Sequence, residues 1–338
     1  MIHLTRPSPT LKEVAARCGV STATVSRVIN RDRRISEETS KRVLQAVEDL
    51  GYSPNPFARG LKTNKSRTIG FIVPEFTNDF FMRIARGIES RLRQDGYTLV
   101  ICNANENRND EAARLDLLLD QGVDGVIVIP SSSRGAHLRA ADARHVPLVL
   151  VDRVVEDYQT DAILVDNING TYHAVEAALA KGHKRIGFIG GNMDLTSARE
   201  RLAGYTRALE DYHIPFQDEY VFFGDFHQDS GYELMGQLLA LAHPPECVFL
   251  SNVFMHLGAA KYLLEHQQAK RRVPELIGFD EMDFSSSLGF CTIMVRQPIE
   301  EIGKIAAETI LDRIRGNHHP SRIQRLKTEI VQFDRKNK

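Results

Sequence analysis

The chain has 338 residues, long for a single core, and sets an expectation of two or three domains. Hydrophobic residues at 42% and charged residues at 26% exclude wholesale disorder, and no apolar run is long enough for a membrane helix. The formal charge of −1 hides an asymmetry: residues 1–68 hold thirteen Lys/Arg against six Asp/Glu, a net of +7, and the remainder thirty against thirty-eight, a net of −8. A basic head on an acidic body points to a polyanion met by the head alone. No apolar stretch of signal-peptide length opens the chain, and Cys18, Cys102, Cys247 and Cys291 lie far apart, outside any zinc spacing. Both features lead us to expect a cytoplasmic protein with free thiols.

In the head, Thr10-Leu11-Lys12-Glu13 has the form of a capping box. Leu11, Val14 and Ala15 follow at helical spacing, and Gly19 ends the segment. Ser21 is expected to cap a second helix from residue 22 to about residue 30, with Val25, Val28 and Ile29 inward. Ser36 is expected to cap a third, from residue 37 to about residue 50, with Val43, Leu44, Val47 and Leu50 inward. Two short helices joined by a tight glycine turn, closed by a third, make a helix-turn-helix. The polar side of the second helix is Thr22, Ala23, Ser26 and Arg27. Its short residues admit the helix end to a major groove, where Arg27 offers a two-pronged donor to a guanine edge. Ser21, Thr24 and Asn30 are placed to hold phosphate, and Thr10 joins them in the expected DNA-contacting set.

Pro54 and Pro56 then break the helix. A short segment from residue 56 to about residue 61 follows, with Ala58 and Leu61 on one face. Leu61 is expected to wedge between base pairs in a minor groove, and Ala58 to sit beside it.

Taken together, Leu11-Lys12-Glu13-Val14-Ala15, the run Gly19 to Asn30, and Gly51-Tyr52-Ser53-Pro54-Asn55 resemble the head of the lac-repressor (LacI/GalR) family. Ala58-Arg59-Gly60-Leu61 is similar to that family's hinge helix. The resemblance implies that Leu61 is a minor-groove lever and that two hinge helices meet over the centre of a palindromic, double-stranded operator. The domain reading is therefore a helix-turn-helix at 1–53, a hinge and linker at 54–67, and a two-lobed body at 68–338.

Beyond residue 67 the pattern changes. Apolar runs at 68–73, 98–102, 125–129 and 147–151 alternate with amphipathic stretches at 80–94, 110–121 and 136–144. A second series begins at 162–165 and continues through 185–189, 220–223, 247–250 and 275–279, with helices between. Continuous apolar strands alternating with helices mean parallel sheets covered on both faces, so the body is expected to be α/β with two similar lobes. Residues 152–160 and 280–295 are expected to cross between lobes, 300–315 to form a helix returning to the first, and 325–333 to form a final strand.

The chemistry sits after strands, where open α/β sheets bind ligands. Pro74, Asn103, Pro130, Asp152, Gly190-Gly191, Asp225, Asn252 and Asp280 all occupy such positions. Asp152 and Asp280 accept hydroxyl hydrogen bonds, Arg201 supplies a fork of donors, and Phe80, Phe81 and Phe226 supply flat apolar faces. Such a set suits a polyhydroxylated ring. The motifs Val151-Asp152-Arg153, Ser197 to Tyr205, Gly224-Asp225-Phe226 and Gly278-Phe279-Asp280-Glu281 resemble the family's effector-binding domain. That resemblance implies effector roles for Phe80, Phe81, Asp152, Arg201, Phe226, Asn252 and Asp280. It also implies a homodimer, since the chain ends at Lys338 with no leucine heptads. One departure is Asn252-Val253-Phe254-Met255-His256, where Val253 replaces the family's usual acid; the lost carboxylate sets an expectation of an anionic sugar.

The enzyme alternative is an NAD-type α/β enzyme. Gly187-Phe188-Ile189-Gly190-Gly191 is not G-x-G-x-x-G, and no P-loop, H-E-x-x-H or G-x-S-x-G occurs. The reading is thus a ligand-responsive repressor of carbohydrate-use genes, switched by a sugar or sugar derivative, with no catalytic role, cofactor, metal or membrane partner. The alternative within the family is corepression by a purine or a phosphoprotein.

Overall fold

The computed structural model describes residues 9–29, 32, 34–52, 65–266, 273–281, 291–317 and 319–333. The chain divides into two units, residues 1–66 and 67–338.

The first unit holds α1 (Leu11–Cys18), α2 (Thr22–Ile29) and α3 (Glu37–Leu50). The capping box is present: the Glu13 N–H donates to Thr10 Oγ1 at 3.3 Å, and the Thr10 N–H donates to the Glu13 carboxylate at 2.6 Å. Gly19 turns the chain in the left-handed region at φ 66°, a conformation that costs glycine least. Val14, Ala15, Cys18, Val25, Val28, Val43 and Ala46 form the core. Leu44, expected inward, is 53% exposed. It lies about 100° around the helix from Val43, so the inner stripe runs Val43, Ala46, Val47 and Leu50 instead.

The second unit has two lobes. Lobe one carries β1 (Thr68–Val73), β2 (Thr98–Asn103), β3 (Gly125–Val128), β4 (Leu148–Val151), β5 (Asp161–Val165) and, from the far end of the chain, β11 (Ile323–Leu326). Its sheet runs β11-β5-β4-β3-β1-β2, with every pair parallel. Lobe two carries β6 (Ile186–Gly190), β7 (Val221–Phe223), β8 (Cys247–Leu250), β9 (Glu275–Phe279), β10 (Cys291–Arg296) and β12 (Glu329–Gln332). Its sheet runs β12-β10-β9-β8-β6-β7, and the edge strand β12 is antiparallel.

Helices cover these sheets: α4 (Asp79–Gln94), α5 (Arg108–Asp120), α6 (Arg139–Ala143) and α11 (Ile299–Ile314) in lobe one, and α7 (Asn167–Ala180), α8 (Thr196–Asp211), α9 (Gln228–Leu239) and α10 (Val253–Glu265) in lobe two. As expected, α11 returns to lobe one, where it packs on α4 through Gly303. A Cβ there would lie 2.4 Å from the Ile84 carbonyl oxygen, so only glycine lets the two backbones approach.

The crossings differ from expectation. Residues 162–165 belong to β5 of lobe one, not to the second series, and the chain crosses at Asp166, which caps α7. Residues 291–296 form β10, an apolar strand buried against β9, so the second crossing comes at Gln297-Pro298. The expected last strand is two strands, one in each sheet, making a third crossing at Lys327-Thr328. Apolar runs identify strands but not the sheet that receives them, which is why the sequence misplaced these boundaries.

Candidate functional site

The carboxyl ends of the two sheets face a cavity of about 350 Å³. All seven expected effector residues, Phe80, Phe81, Asp152, Arg201, Phe226, Asn252 and Asp280, line it. The other expected strand-end positions, Pro74, Asn103, Pro130, Gly190-Gly191 and Asp225, are not among its lining residues. The Asp225 carboxylate instead accepts from the His227 N–H at 2.9 Å, shaping the loop that carries Phe226.

Several lining residues hold left-handed backbone: Glu106 at φ 49°, Asp152 at 66°, Phe226 at 69° and Asp280 at 67°. For side chains with a Cβ this conformation is strained, and such strain concentrates where a protein fixes groups for a ligand. Each follows soon after a strand, so the turn aims its side chain into the space between the lobes. The Phe226 ring lies over Gly191, where a Cβ would come within 2.2 Å of the ring. The glycine pair after β6 therefore makes room for an aromatic wall.

Arg201 sits one turn into α8 and is 4% exposed. Its Nε donates to Asn167 Oδ1 at 3.0 Å, its Nη1 donates to the Ser251 carbonyl, and its guanidinium lies 4.0 Å from the Phe279 ring centroid. Burial lowers its proton affinity, and the Asp280 and Asp152 carboxylates oppose that shift. Arg201 thus lines the cleft and supplies positive charge near the buried acids Asp280 and Asp152.

Asp280 is equally anchored. Gln297 Nε2 donates to its Oδ1 at 2.5 Å. Burial raises its carboxyl above the ordinary range, with Arg201 and Gln297 pulling the other way. Asn252 spends both ends of its amide inside the protein: Oδ1 accepts from the Met255 N–H and Nδ2 donates to the Phe226 carbonyl, each at 2.9 Å. It caps α10 and steadies the Phe226 turn as well as lining the cleft. α10 starts at Val253, directly after Asn252.

Sequence reasoning missed Arg153, which is 4% exposed. It donates to the Pro130 carbonyl at 3.0 Å and pairs with Glu106 at 3.1 Å and Asp152 at 3.4 Å. Burial works against its charge, yet the carboxylates around it keep its proton affinity raised. Its guanidinium carbon lies 5.9 Å from the ring centroids of both Phe81 in lobe one and Phe226 in lobe two. Its place beside Asp152 after β4 was the available signal. Glu75 and Asp229 were missed as well, since nothing sets them apart from other polar residues; Ser197, buried and within the Ser197 to Tyr205 motif, was missed too. The lining charges weigh against the expectation that Val253 opens the cleft to anions: five carboxylates, from Glu75, Glu106, Asp152, Asp229 and Asp280, stand beside two guanidiniums.

In the head unit, Ser21, Thr22, Ala23 and Arg27 are exposed on α2, while Thr24 and Ser26 are half-buried. The Ser21 hydroxyl accepts from the Thr24 N–H at 3.1 Å, so it caps the helix. Thr10 is exposed at the start of α1. Asn30, Ala58 and Leu61 lie outside the described residues.

Comparison with known proteins places these two units. Residues 66–336 match the model described as periplasmic binding proteins and sugar binding domain of LacI family, and residues 10–55 match bacterial regulatory proteins, lacI family. The chain belongs to the LacI family. A relative in Aliivibrio salmonicida, the HTH-type transcriptional repressor PurR, is 34% identical over 95% of this chain and 97% of its own length. Among solved structures, a transcriptional regulator CelR–cellobiose complex is 30% identical, with a TM-score of 0.72 over 96% of this chain and 98% of that one. A lac repressor dimer bound to operator and the anti-inducer ONPF is 27% identical, with a TM-score of 0.85 over the same shares. This LacI-family protein is a ligand-responsive, DNA-binding transcriptional repressor, and not an enzyme. No helix among the described residues is long and apolar enough to cross a membrane.

Proposed function

We propose that this LacI-family repressor is switched by a flat heterocycle of the purine class, held in the inter-lobe cleft. The observation that carries this reading is the pair of phenyl rings, Phe81 and Phe226, one from each lobe, both set 5.9 Å from the Arg153 guanidinium. Two apolar faces beside a buried cation favour a planar ring, with polar groups at its edge to meet Asp152, Arg201 and Asp280. The relatives named PurR, similar over nearly the whole chain, support the same class.

A second reading, a sugar effector, draws support from the cellobiose complex of a similar regulator and from the carboxylates suited to hydroxyl donors. Under either reading the protein acts in the cytoplasm as a homodimer on palindromic DNA: one head buries little DNA, and twofold operators match twofold proteins. The exposed Arg27, Thr22 and Ala23 read the major groove, Ser21, Thr24, Ser26, Thr10 and Asn30 support them, and Ala58 and Leu61 act at the hinge.

Calorimetric titration of the full chain with purine bases, nucleosides and neutral sugars tests this. Saturable binding by a purine, lost in Phe226→Ala, is expected. Binding by sugars alone would replace the purine reading with the second.

A further inference from the structure

We infer that the cleft selects an effector bearing an amino or protonated amine group and rejects its phosphorylated counterpart; the inference rests on the cleft being the effector site. The charged groups of the lining are mostly acceptors: five carboxylates stand beside two guanidiniums, although Thr77, Ser197 and Gln228 also line the cavity and can donate. Carboxylates accept hydrogen bonds and donate none, so a ligand group that meets them has to donate. Both guanidiniums are already engaged, Arg153 by Glu106 and Asp152, and Arg201 by Asn167 and the Ser251 carbonyl.

Two of the carboxylates sit on opposite lobes. Glu75 follows β1 of lobe one, where one oxygen accepts from the Thr77 N–H at 3.0 Å. Asp229 lies in the first turn of α9 in lobe two; it is exposed and has no hydrogen bond or ion pair among the described residues. Like charges on opposite lobes repel, and a ligand donor or cation between them removes that repulsion. Deeper in, Asp152 and Asp280 repeat the pattern, with Asp152 strengthening Asp280's hold on a proton.

A second observation asks for a ligand as well. Arg153 is 4% exposed and lines the cavity, and its Nε, although 3.4 Å from the Asp152 carboxylate, makes no hydrogen bond to it. A buried donor with an ion-pair contact but no well-aligned hydrogen bond still favours an acceptor, so the ligand offers one there while its donors face the acids. An aminated ring with a ring nitrogen or oxygen supplies both. A phosphate supplies only acceptors and negative charge.

The test uses the full-length protein and two matched series, so that the ligand class and the charge rule fail separately. Adenine, adenosine and adenosine monophosphate form one; glucosamine, glucose and glucose 6-phosphate form the other. In whichever series binds, the aminated unphosphorylated members are expected to bind at least about tenfold more tightly than the phosphate. The double variant Glu75→Gln, Asp229→Asn is expected to shrink that ratio by about threefold or more, and added salt to shrink it further. A phosphate that binds as tightly as its parent overturns the inference while leaving the cleft as the site. Silence of both series overturns it together with the purine and sugar readings, and leaves the repressor assignment standing.

Discussion

Asp194 of lobe two accepts two hydrogen bonds from Ser133 of lobe one, from the backbone N–H at 3.0 Å and from the hydroxyl at 2.6 Å. Arg199 braces this clasp: its Nη1 donates to the Asp194 carbonyl at 2.9 Å and its Nη2 to Glu156 of lobe one at 3.2 Å. The clasp lies beside the amino end of α8, the helix that places Ser197 and Arg201 in the cleft. Asp194→Ala removes bonds that exist only while the lobes are together. Because the carboxylate is exposed, the expected loss is modest, about 0.4–1 kcal/mol, read as roughly two- to fivefold weaker effector binding. Unchanged affinity by titration would make the clasp incidental. The Ser133 bonds hold the carboxyl below its usual range. Its contribution is therefore present above the ordinary carboxylate pKa and lost as pH falls through the lowered value.

Arg27 is exposed on the second helix of the helix-turn-helix. Arg27→Ala should cost about 1–3 kcal/mol at the cognate half-site and relax base preference there. Operator affinities at matched salt check this; equal affinity and equal preference would move the reading edge elsewhere on α2.

His256 is 1% exposed, neither ring nitrogen has a hydrogen-bond partner, and burial holds its pKa at about 4. A pKa lowered in the folded state means that acid protonates the unfolded chain first. Stability should therefore fall as pH drops from about 6.5 towards 4. Between pH 7 and pH 5 this histidine accounts for about 2 kcal/mol of that loss. Denaturant unfolding of His256→Ala should show a correspondingly flatter pH dependence, whatever the variant's absolute stability. An unchanged slope would mean that the ring is hydrated or hydrogen-bonded in solution.

Gly303 lets α11 rest on α4, and a methyl group there would press on the Ile84 carbonyl. Gly303→Ala is expected to destabilise the body by about 1–3 kcal/mol. A melting temperature equal to wild type would show that the helices separate freely.

Much of this was legible in the sequence, because continuous apolar strands and capped helices follow from local chemistry. The capping box of Thr10 and Glu13 and the strand-end positions of Asp152 and Asp280 emerged where they were expected. Sheet membership was not legible: β5 and β10 read as apolar runs like any other, and only long-range pairing assigns them. Arg153 was missed because a charged residue beside a strand end reads as a solvated one, and its burial depends on Glu106 and Asp152 gathered around it. Asn252, read as a ligand contact, lines the cavity, and one donor and one acceptor of its amide also serve the protein's own backbone.

The central claim is that a ligand in the cleft switches the head's hold on DNA. Arg201 and Asp280 are poor places to test it, since each also balances buried charge. The aromatic wall is better: Phe226→Ala removes a cleft face and one ring beside Arg153 but none of the ion pairs. The decisive measurement is operator affinity of the full-length protein with and without the ligand that binds it, in wild type and in Phe226→Ala. A shift of about 1–3 kcal/mol in wild type, absent from the variant while its ligand-free operator binding is kept, is the predicted result. A full ligand response in Phe226→Ala, or no ligand response in wild type, would contradict it.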